Sequence, residues 1–129
     1  MTPSQRIEIE HHCARLVAHY ANLNDAGHWD ALAALFAPDG RFARPTAPDD
    51  WICGRDAILV AFRTRPARRA RHLCANVVID AIDAEHAIGQ SALALLAEGS
   101  TPVAGSFHDR FVKTVDGWKF AERRGSLAF

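Results

Sequence analysis

The stretch ARHLCANVVID, residues 70–80, decides the fold, because the hydrophobic repeat changes here from helical to alternating. Alternation is typical of a β-strand, in which successive side chains point to opposite faces of the sheet. One predicted face carries His72, Cys74, Asn76 and Val78, and the other carries Leu73, Ala75, Val77 and Ile79. The second face is uniformly apolar, whereas the first has the mixed character of a pocket lining.

Alternation continues downstream of this stretch. Further strands are predicted at 86–97, 104–115 and 118–127, and Val115-Asp116-Gly117 is a hairpin sequence between the last two. Four consecutive strands of this kind predict an antiparallel sheet.

Helical repeats dominate upstream. A long helix is predicted to begin at the capping sequence Thr2-Pro3-Ser4-Gln5 and to end at Asn24–Gly27. A second, short helix includes Trp29 and Phe36 and is stopped by Pro38-Asp39-Gly40. A short strand at 41–44 and a loop at 45–53 precede a third helix, which begins at Gly54 and ends before Pro66. The whole chain, residues 1–129, is therefore predicted to be one α+β domain whose helices pack on one face of a strongly curved sheet and leave a pocket.

Composition excludes several classes of protein. Fifteen basic and fifteen acidic residues cancel, so neither nucleic acid nor a membrane surface is an expected partner. The longest apolar runs are far shorter than the ~20 residues of a membrane span, and the charged N-terminus is unlike a signal peptide, so we expect a cytoplasmic protein. The three cysteines, Cys13, Cys53 and Cys74, have neither disulfide nor zinc spacing and are predicted to be small buried side chains.

The strongest candidate for chemistry is a histidine paired with a carboxylate. His72 begins the mixed face of its strand, and Asp25 lies at the C-terminal end of the first helix, where the helix dipole disfavours a carboxylate. A nearby imidazole would relieve that cost, so we expect the two side chains to meet within hydrogen-bond distance. His72 satisfied by a backbone carbonyl, and Asp25 as a cap of the second helix, are the structural alternatives.

Other polar residues are weaker candidates. Tyr20 is the only tyrosine and lies on the apolar stripe of the first helix, where it could equally be a core aromatic. His108 and Arg110 share one strand face, which is either the solvated side of the sheet or a polar pocket wall. The segment 63–71 contains five arginines and is either a solvated connection or a site that steers a substrate carboxylate or phosphate. His11, His12, His19, His28 and His86 are predicted to lie on the surface.

Taken together, several stretches resemble one known family. They are Tyr20, Asn24-Asp25 through Phe42, Gly54-Arg55-Asp56-Ala57-Ile58, Arg71-His72-Leu73 with Asn76, Asp109-Arg110-Phe111, and Asp116-Gly117-Trp118 through Arg123. In order and spacing they are similar to a SnoaL-like domain of the nuclear transport factor 2-like superfamily, in the branch of scytalone dehydratase and bile-acid dehydratase. The resemblance implies a cone-shaped α+β fold, a homodimer, one apolar pocket, and neither metal nor cofactor. Because helices cover only one face of the predicted sheet, we expect the dimer to form through the outer face, with Leu93, Leu95 and Phe111 as candidate contacts.

The same resemblance implies roles for individual residues. In the dehydratase branch an Asp–His pair transfers the proton, and Asp25 and His72 fall on those positions, with Tyr20 matching a pocket tyrosine. Ser91 stands where scytalone dehydratase has a second pocket histidine, and Asn24 replaces a tyrosine beside the aspartate. The expected ligand contacts are Asn24, Trp51, Asn76, Ser91, His108 and Arg110.

Three functions are compatible with these observations. The first is a cofactor-independent lyase or isomerase, dehydratase-like, that acts on a small, largely apolar cyclic or aromatic carbonyl compound. The second is a binding domain for a small molecule without turnover, because a fold can retain its pocket and lack the chemistry. The third is an accessory subunit like the small subunit of ring-hydroxylating dioxygenases.

Overall fold

In the computed structural model, which describes residues 1–128, three helices pack against one face of a six-stranded sheet. The elements are α1 (Pro3–Ala26), α2 (Trp29–Ala33), β1 (Phe36–Ala43), β2 (Ile52–Cys53), α3 (Arg55–Arg63), β3 (Ala70–Ala81), β4 (His86–Ala97), β5 (Val103–Thr114) and β6 (Gly117–Ser126). The strand order is β2-β1-β6-β5-β4-β3, and every neighbouring pair is antiparallel except β1 and β6. The predicted α+β class and the four C-terminal strands are confirmed.

The long first helix begins as its sequence predicts. The Gln5 backbone N–H donates to Thr2 Oγ1 at 3.1 Å, and the Thr2 backbone N–H donates to Gln5 Oε1 at 2.8 Å. The reciprocal pair satisfies backbone donors that the helix leaves free at its start. At the other end Gly27 adopts a left-handed φ of 71° and closes the helix just after Asp25.

The second helix is shorter than predicted. It ends at Ala33, and Phe36 already belongs to β1, which runs through Pro38-Asp39-Gly40, the sequence expected to stop a helix. Phe36 pairs with Phe120 of β6, and the Arg55 side chain donates to the Phe36 carbonyl at 2.9 Å through Nε. Pairing within the sheet therefore overrides the local helical repeat.

A β-bulge in β3 alters which side chains face the helices. In β3 the register shifts between Ala75 and Val78, and Asn76 adopts a φ of 53°. Residues beyond the bulge exchange faces, so Ile79 is buried on the side that carries His72. The predicted strict alternation, with Ile79 opposite His72, is wrong for this reason.

Aromatic side chains occupy the space between the helices and the sheet. Tyr20, Phe42, Phe62, Phe107 and Phe120 are each at most 3% exposed, and the centroid of the tyrosine ring lies 5.7–6.3 Å from those of the four phenylalanines. A cluster this size contributes much of the hydrophobic stabilisation of the domain. No helix among residues 1–128 is long and apolar enough to cross a membrane.

The burial of several side chains differs from the prediction. Leu93 and Phe111, predicted together with Leu95 to lie at an outer dimer contact, are 5% and 1% exposed and face the helices. Cys53, predicted to be buried, is exposed on the short β2, whereas Cys13 is buried and Cys74 half-buried. The expected burial of Cys53 fails because β2 lies at the edge of the sheet.

Candidate active site

Asp25 and His72 lie together, although 47 residues separate them in the chain. Asp25 is in the last turn of α1 and His72 is near the start of β3, and the distance between His72 Nδ1 and Asp25 Oδ1 is 2.6 Å. Both side chains are nearly buried, 8% and 9% exposed. The His72 backbone N–H also donates to the carboxylate, at 3.0 Å to Oδ2 and 3.1 Å to Oδ1.

This geometry fixes the orientation of the imidazole ring. An ionised Asp25 only accepts hydrogen bonds, so the contact places the ring proton on Nδ1 and leaves Nε2 as the basic nitrogen. Nε2 makes no hydrogen bond to residues within 1–128. The arrangement is that of a carboxylate-oriented general base.

The electrostatic surroundings keep His72 neutral. Burial lowers the pKa of His72 below its ordinary 6.5, and the positive charges of Arg68 and Arg65 act in the same direction. The hydrogen bond and the negative charge of Asp25 oppose them. The direction of the shift leaves the imidazole unprotonated at neutral pH, the form that accepts a proton.

Two surface clefts are lined by Asp25. The smaller, about 250 Å³, is called the dyad cleft; its lining includes Asn24, Asp25, Trp29, Arg65, Arg68 and His72. The larger, about 740 Å³, is lined by Asp25, the arginines Arg68, Arg69 and Arg71, and Glu98, among others. Asp25 and Arg68 are common to both, so a ligand in either cleft lies beside the carboxylate.

Two predicted neighbours of the pair are buried in α1. Asn24 is 5% exposed, and its Oδ1 accepts a hydrogen bond of 2.6 Å from Arg65 Nη2. Tyr20 is 3% exposed, and burial raises its pKa to about 12. The phenol is therefore a neutral donor at every ordinary pH.

A row of polar side chains crosses the inner face of the sheet behind this cluster. Ser91 on β4, Asp109 on β5 and Arg123 on β6 are each at most 4% exposed. Arg123 Nη1 donates to Asp109 Oδ2 at 3.0 Å, whereas Ser91 Oγ, Asp109 Oδ1, and Nε and Nη2 of Arg123 have no partner among residues 1–128. Unsatisfied polar atoms in a protein interior are uncommon and call for a functional or structural reason.

The Arg123 guanidinium is enclosed by aromatic rings. Its central carbon lies 3.7 Å from the Phe107 centroid, 4.4 Å from that of Tyr20 and 4.8 Å from that of Phe120. Burial raises the pKa of Asp109 to about 6 even though the Arg123 charge lowers it. Asp109 is a charged residue between Phe107 and Phe111 on an apolar strand face, and this pattern is the sequence signal by which the buried pair could be identified.

The remaining predicted ligand contacts lie elsewhere. His108 and Arg110 are exposed and line a separate cleft of about 380 Å³ on the outer face of the sheet. Asn76 is exposed at the β3 bulge, and Trp51 lies near β2, at the opposite edge of the sheet, with the Arg41 guanidinium 3.9 Å from its ring centroid. None of these four residues lines the dyad cleft, so the structure does not bring them together with Asp25 and His72. Of the predicted contacts, Asn24 adjoins the pair, and Ser91 faces the interior.

Titratable side chains show no clustering that would suit a metal ion. Within residues 1–128, no group of three histidine, cysteine, aspartate or glutamate side chains has the geometry of a metal site.

Comparison with known proteins identifies the family of the fold. The model of the SnoaL-like domain matches residues 5–124. No curated protein has a significant match to the chain.

Solved structures share the architecture over nearly the whole chain. A Novosphingobium aromaticivorans protein provisionally named scytalone dehydratase is 23% identical with a TM-score of 0.84, covering 96% of this chain and 87% of the other. A protein from the same organism, provisionally named aromatic ring hydroxylase, is 18% identical with a TM-score of 0.82, covering 100% and 93%. A Mycobacterium tuberculosis protein of unknown function is 28% identical with a TM-score of 0.76, covering 92% and 75%. These similarities establish the cone-shaped fold.

Proposed function

The chain belongs to the SnoaL-like domain family, and we propose that it is a cofactor-independent lyase or isomerase of the dehydratase type. Its substrate is a small, largely apolar cyclic or aromatic carbonyl compound. One observation carries the proposal: a nearly buried aspartate holds a nearly buried histidine at 2.6 Å beside an open cleft. The similarity of the fold to that of a protein provisionally named scytalone dehydratase supports this reaction class.

The proposed reaction begins with proton abstraction. Neutral His72 Nε2 takes a proton from the carbon next to the substrate carbonyl, and Asp25 stabilises the imidazolium that forms. The electron pair of the broken C–H bond moves into the enolate. For elimination, the imidazolium returns its proton to a β-hydroxyl, which leaves as water while the carbon–carbon double bond forms. For isomerisation, the same proton goes to a different carbon.

Charge on the enolate oxygen needs a hydrogen-bond donor. Tyr20 is the donor that we propose, since burial keeps its phenol protonated and the residue lies five positions before Asp25 in α1. Arg110, one of the expected ligand contacts, is exposed on the outer face of the sheet and is not the donor in this proposal.

A substrate panel tests the proposal directly. Cyclic and aromatic ketones with a β-hydroxyl are incubated with the protein, and loss of water or migration of the double bond is followed by mass spectrometry and absorbance. Turnover of one compound, eliminated by substitution of His72, supports the proposal. Binding of panel compounds without turnover supports the second candidate, a binding domain for a small molecule, which needs the dyad cleft but no proton transfer.

The pH dependence of kcat/KM follows from the state of His72. Only the neutral imidazole accepts a proton, and burial lowers its pKa below 6.5. Activity is therefore expected to decline on the acid side with a midpoint below pH 6.5 and to be independent of His72 protonation above it. A steady-state pH profile measures this, and an acid limb centred above pH 6.5 would contradict the role of His72.

We further propose a homodimer that forms through the outer face of the sheet. The helices cover the other face, and Leu73, Val78 and Ile88 remain 51%, 50% and 38% exposed on this one. Apolar side chains grouped on one strand pair are typical of an interaction surface. Leu93 and Phe111 are not part of it, since they point inward.

Light scattering measures the oligomeric state. At micromolar concentration we expect twice the 14.2 kDa mass of one chain, and the double variant Val78→Asp, Ile88→Asp is expected to have the mass of a monomer, because buried carboxylates oppose association. A wild-type mass of 14.2 kDa would contradict the dimer.

A further inference from the structure

The arginine-rich segment 63–71 contains two cations without a carboxylate partner. Arg63 pairs with Asp30 at 2.7 Å, Arg69 with Glu98 at 3.5 Å, and Arg71 Nε lies 3.6 Å from Asp25 Oδ2. Arg65 and Arg68 form no ion pair within residues 1–128. Arg63 and Arg69 pair with surface carboxylates and Arg71 pairs with Asp25 itself, whereas Arg65 and Arg68 have no carboxylate to account for their position.

Arg65 and Arg68 both line the dyad cleft. Arg65 is half-buried, donates one hydrogen bond to the Asn24 amide, and leaves its buried Nε without a partner. Arg68 is exposed and makes no side-chain hydrogen bond within residues 1–128. Two guanidinium groups therefore border the cleft that contains His72, and their charges add to burial, the main cause of the lowered pKa of His72.

Partial burial makes this positive charge costly. Desolvation lowers the pKa of Arg65, and the charge of Arg68 lowers it further. Like charges held together at a cleft are stabilised when an anion binds between them, and guanidinium groups match the planar geometry of carboxylate and phosphate oxygens. The Trp29 ring lies 5.1 Å from the Arg65 guanidinium carbon and stacks on Phe62, and the part of the ring that lines the cleft offers an apolar surface to the uncharged part of such a ligand.

We propose that the ligand of the dyad cleft carries a carboxylate or phosphate group, and that Arg68, assisted by Arg65, binds this anion. The proposal rests on the proposed function, since it names the class of substrate that the Asp25–His72 pair receives. The anionic group lies at the opening of the cleft, and the aromatic or cyclic part of the molecule extends along Trp29 towards His72.

Binding of matched probes tests the charge requirement without any turnover. Calorimetry compares 2-naphthoate and 2-naphthyl phosphate with the neutral 2-naphthamide at low ionic strength. We expect at least one of the anions to bind roughly tenfold or more tightly than the amide, since a charge-assisted pair adds about one to two factors of ten. The anion that binds more tightly identifies the group that the cleft prefers.

Two variants distinguish a direct contact between Arg68 and the anion from a general effect of positive charge on the protein. Arg68→Gln is expected to reduce the affinity for the anion to that for the amide. Arg15→Gln removes the same charge from an exposed position on α1 and is expected to retain the discrimination. The NMR titration of His72 gives an independent readout: bound 2-naphthoate raises its pKa in the wild type but not in Arg68→Gln, because the anion offsets the charge that lowers it.

Several results would overturn the proposal. They are equal affinity for anion and amide, no binding of either anion at millimolar concentration, discrimination that survives Arg68→Gln, or equal loss in Arg15→Gln. None of these results bears on proton transfer by His72. If they occur while a neutral ketone is turned over, only the anionic substrate class is withdrawn.

Discussion

His72→Asn is expected to reduce kcat by ~10²–10⁴-fold while changing the affinity for the same compound by less than about tenfold. General-base catalysis supplies that range of rate, whereas an uncharged hydrogen bond to a ligand is worth only about 0.5–1.5 kcal/mol. Asparagine retains a polar group that can contact Asp25, so the fold is expected to persist. Steady-state kinetics on a panel compound, with thermal unfolding as a check of folding, measure both effects.

The chain contains a matched control for this substitution. His86 and Asp83 form a second pair, with Nδ1 2.9 Å from Oδ1, but both side chains are more than half exposed. His86→Asn is expected to leave turnover unchanged. Asp25→Asn is expected to impair turnover, because an amide cannot stabilise the imidazolium and can favour the wrong ring tautomer. A wild-type rate in His72→Asn would refute the mechanism.

Arg123→Met is expected to lower the free energy of unfolding by about 3–5 kcal/mol, because it leaves the Asp109 carboxyl buried without its partner. Both side chains are at most 1% exposed, and the guanidinium also packs against three aromatic rings. Urea denaturation measures the loss. The double variant Asp109→Leu, Arg123→Met is expected to regain most of the lost free energy of unfolding, since no charge is then buried. If Arg123→Met does not fold, a folded double variant tests the same account.

The loss in Arg123→Met is expected to depend on pH. Burial raises the pKa of Asp109 from 3.8 to about 6 in the native protein. Between about pH 4 and 6 the native carboxyl therefore keeps its proton, whereas the same carboxyl in the unfolded chain has released it. Its contribution to stability is thus greatest below about pH 4 and declines as the pH rises through 6. Without the guanidinium, ionisation costs more, and the variant is expected to lose more stability at pH 8 than at pH 5. An equal loss at both values would contradict this account.

How much of the site can be predicted from sequence depends on the regularity of each strand. His72 lies before the β3 bulge, where alternation holds, and Asp25 is marked by an unfavourable position at a helix end. Both were therefore identifiable. Asn76 was misplaced because it lies in the bulge itself, which shifts the register by one residue.

The burial of Arg123 could not be predicted from the sequence of β6 alone. Arg110 pairs with Glu122 while Phe111 pairs with Phe120, so Ala121 is an extra residue in β6. Simple alternation from the buried Phe120 predicts that Arg123 faces solvent, yet the bulge turns it inward to meet Asp109. Bulges arise from pairing across strands, and one strand read alone does not reveal them.

The carboxylate of Asp25 has a second consequence, for aggregation. β3 is an edge strand, and an edge strand normally offers unpaired backbone groups on which another chain can form a new strand. Asp25 accepts the His72 backbone N–H through both oxygens, so that donor is not available to an incoming strand. Further along the edge, the bulge at Asn76 interrupts the straight ladder that such an addition needs. The residue that orients the imidazole therefore also helps to keep this protein from self-associating through its exposed edge.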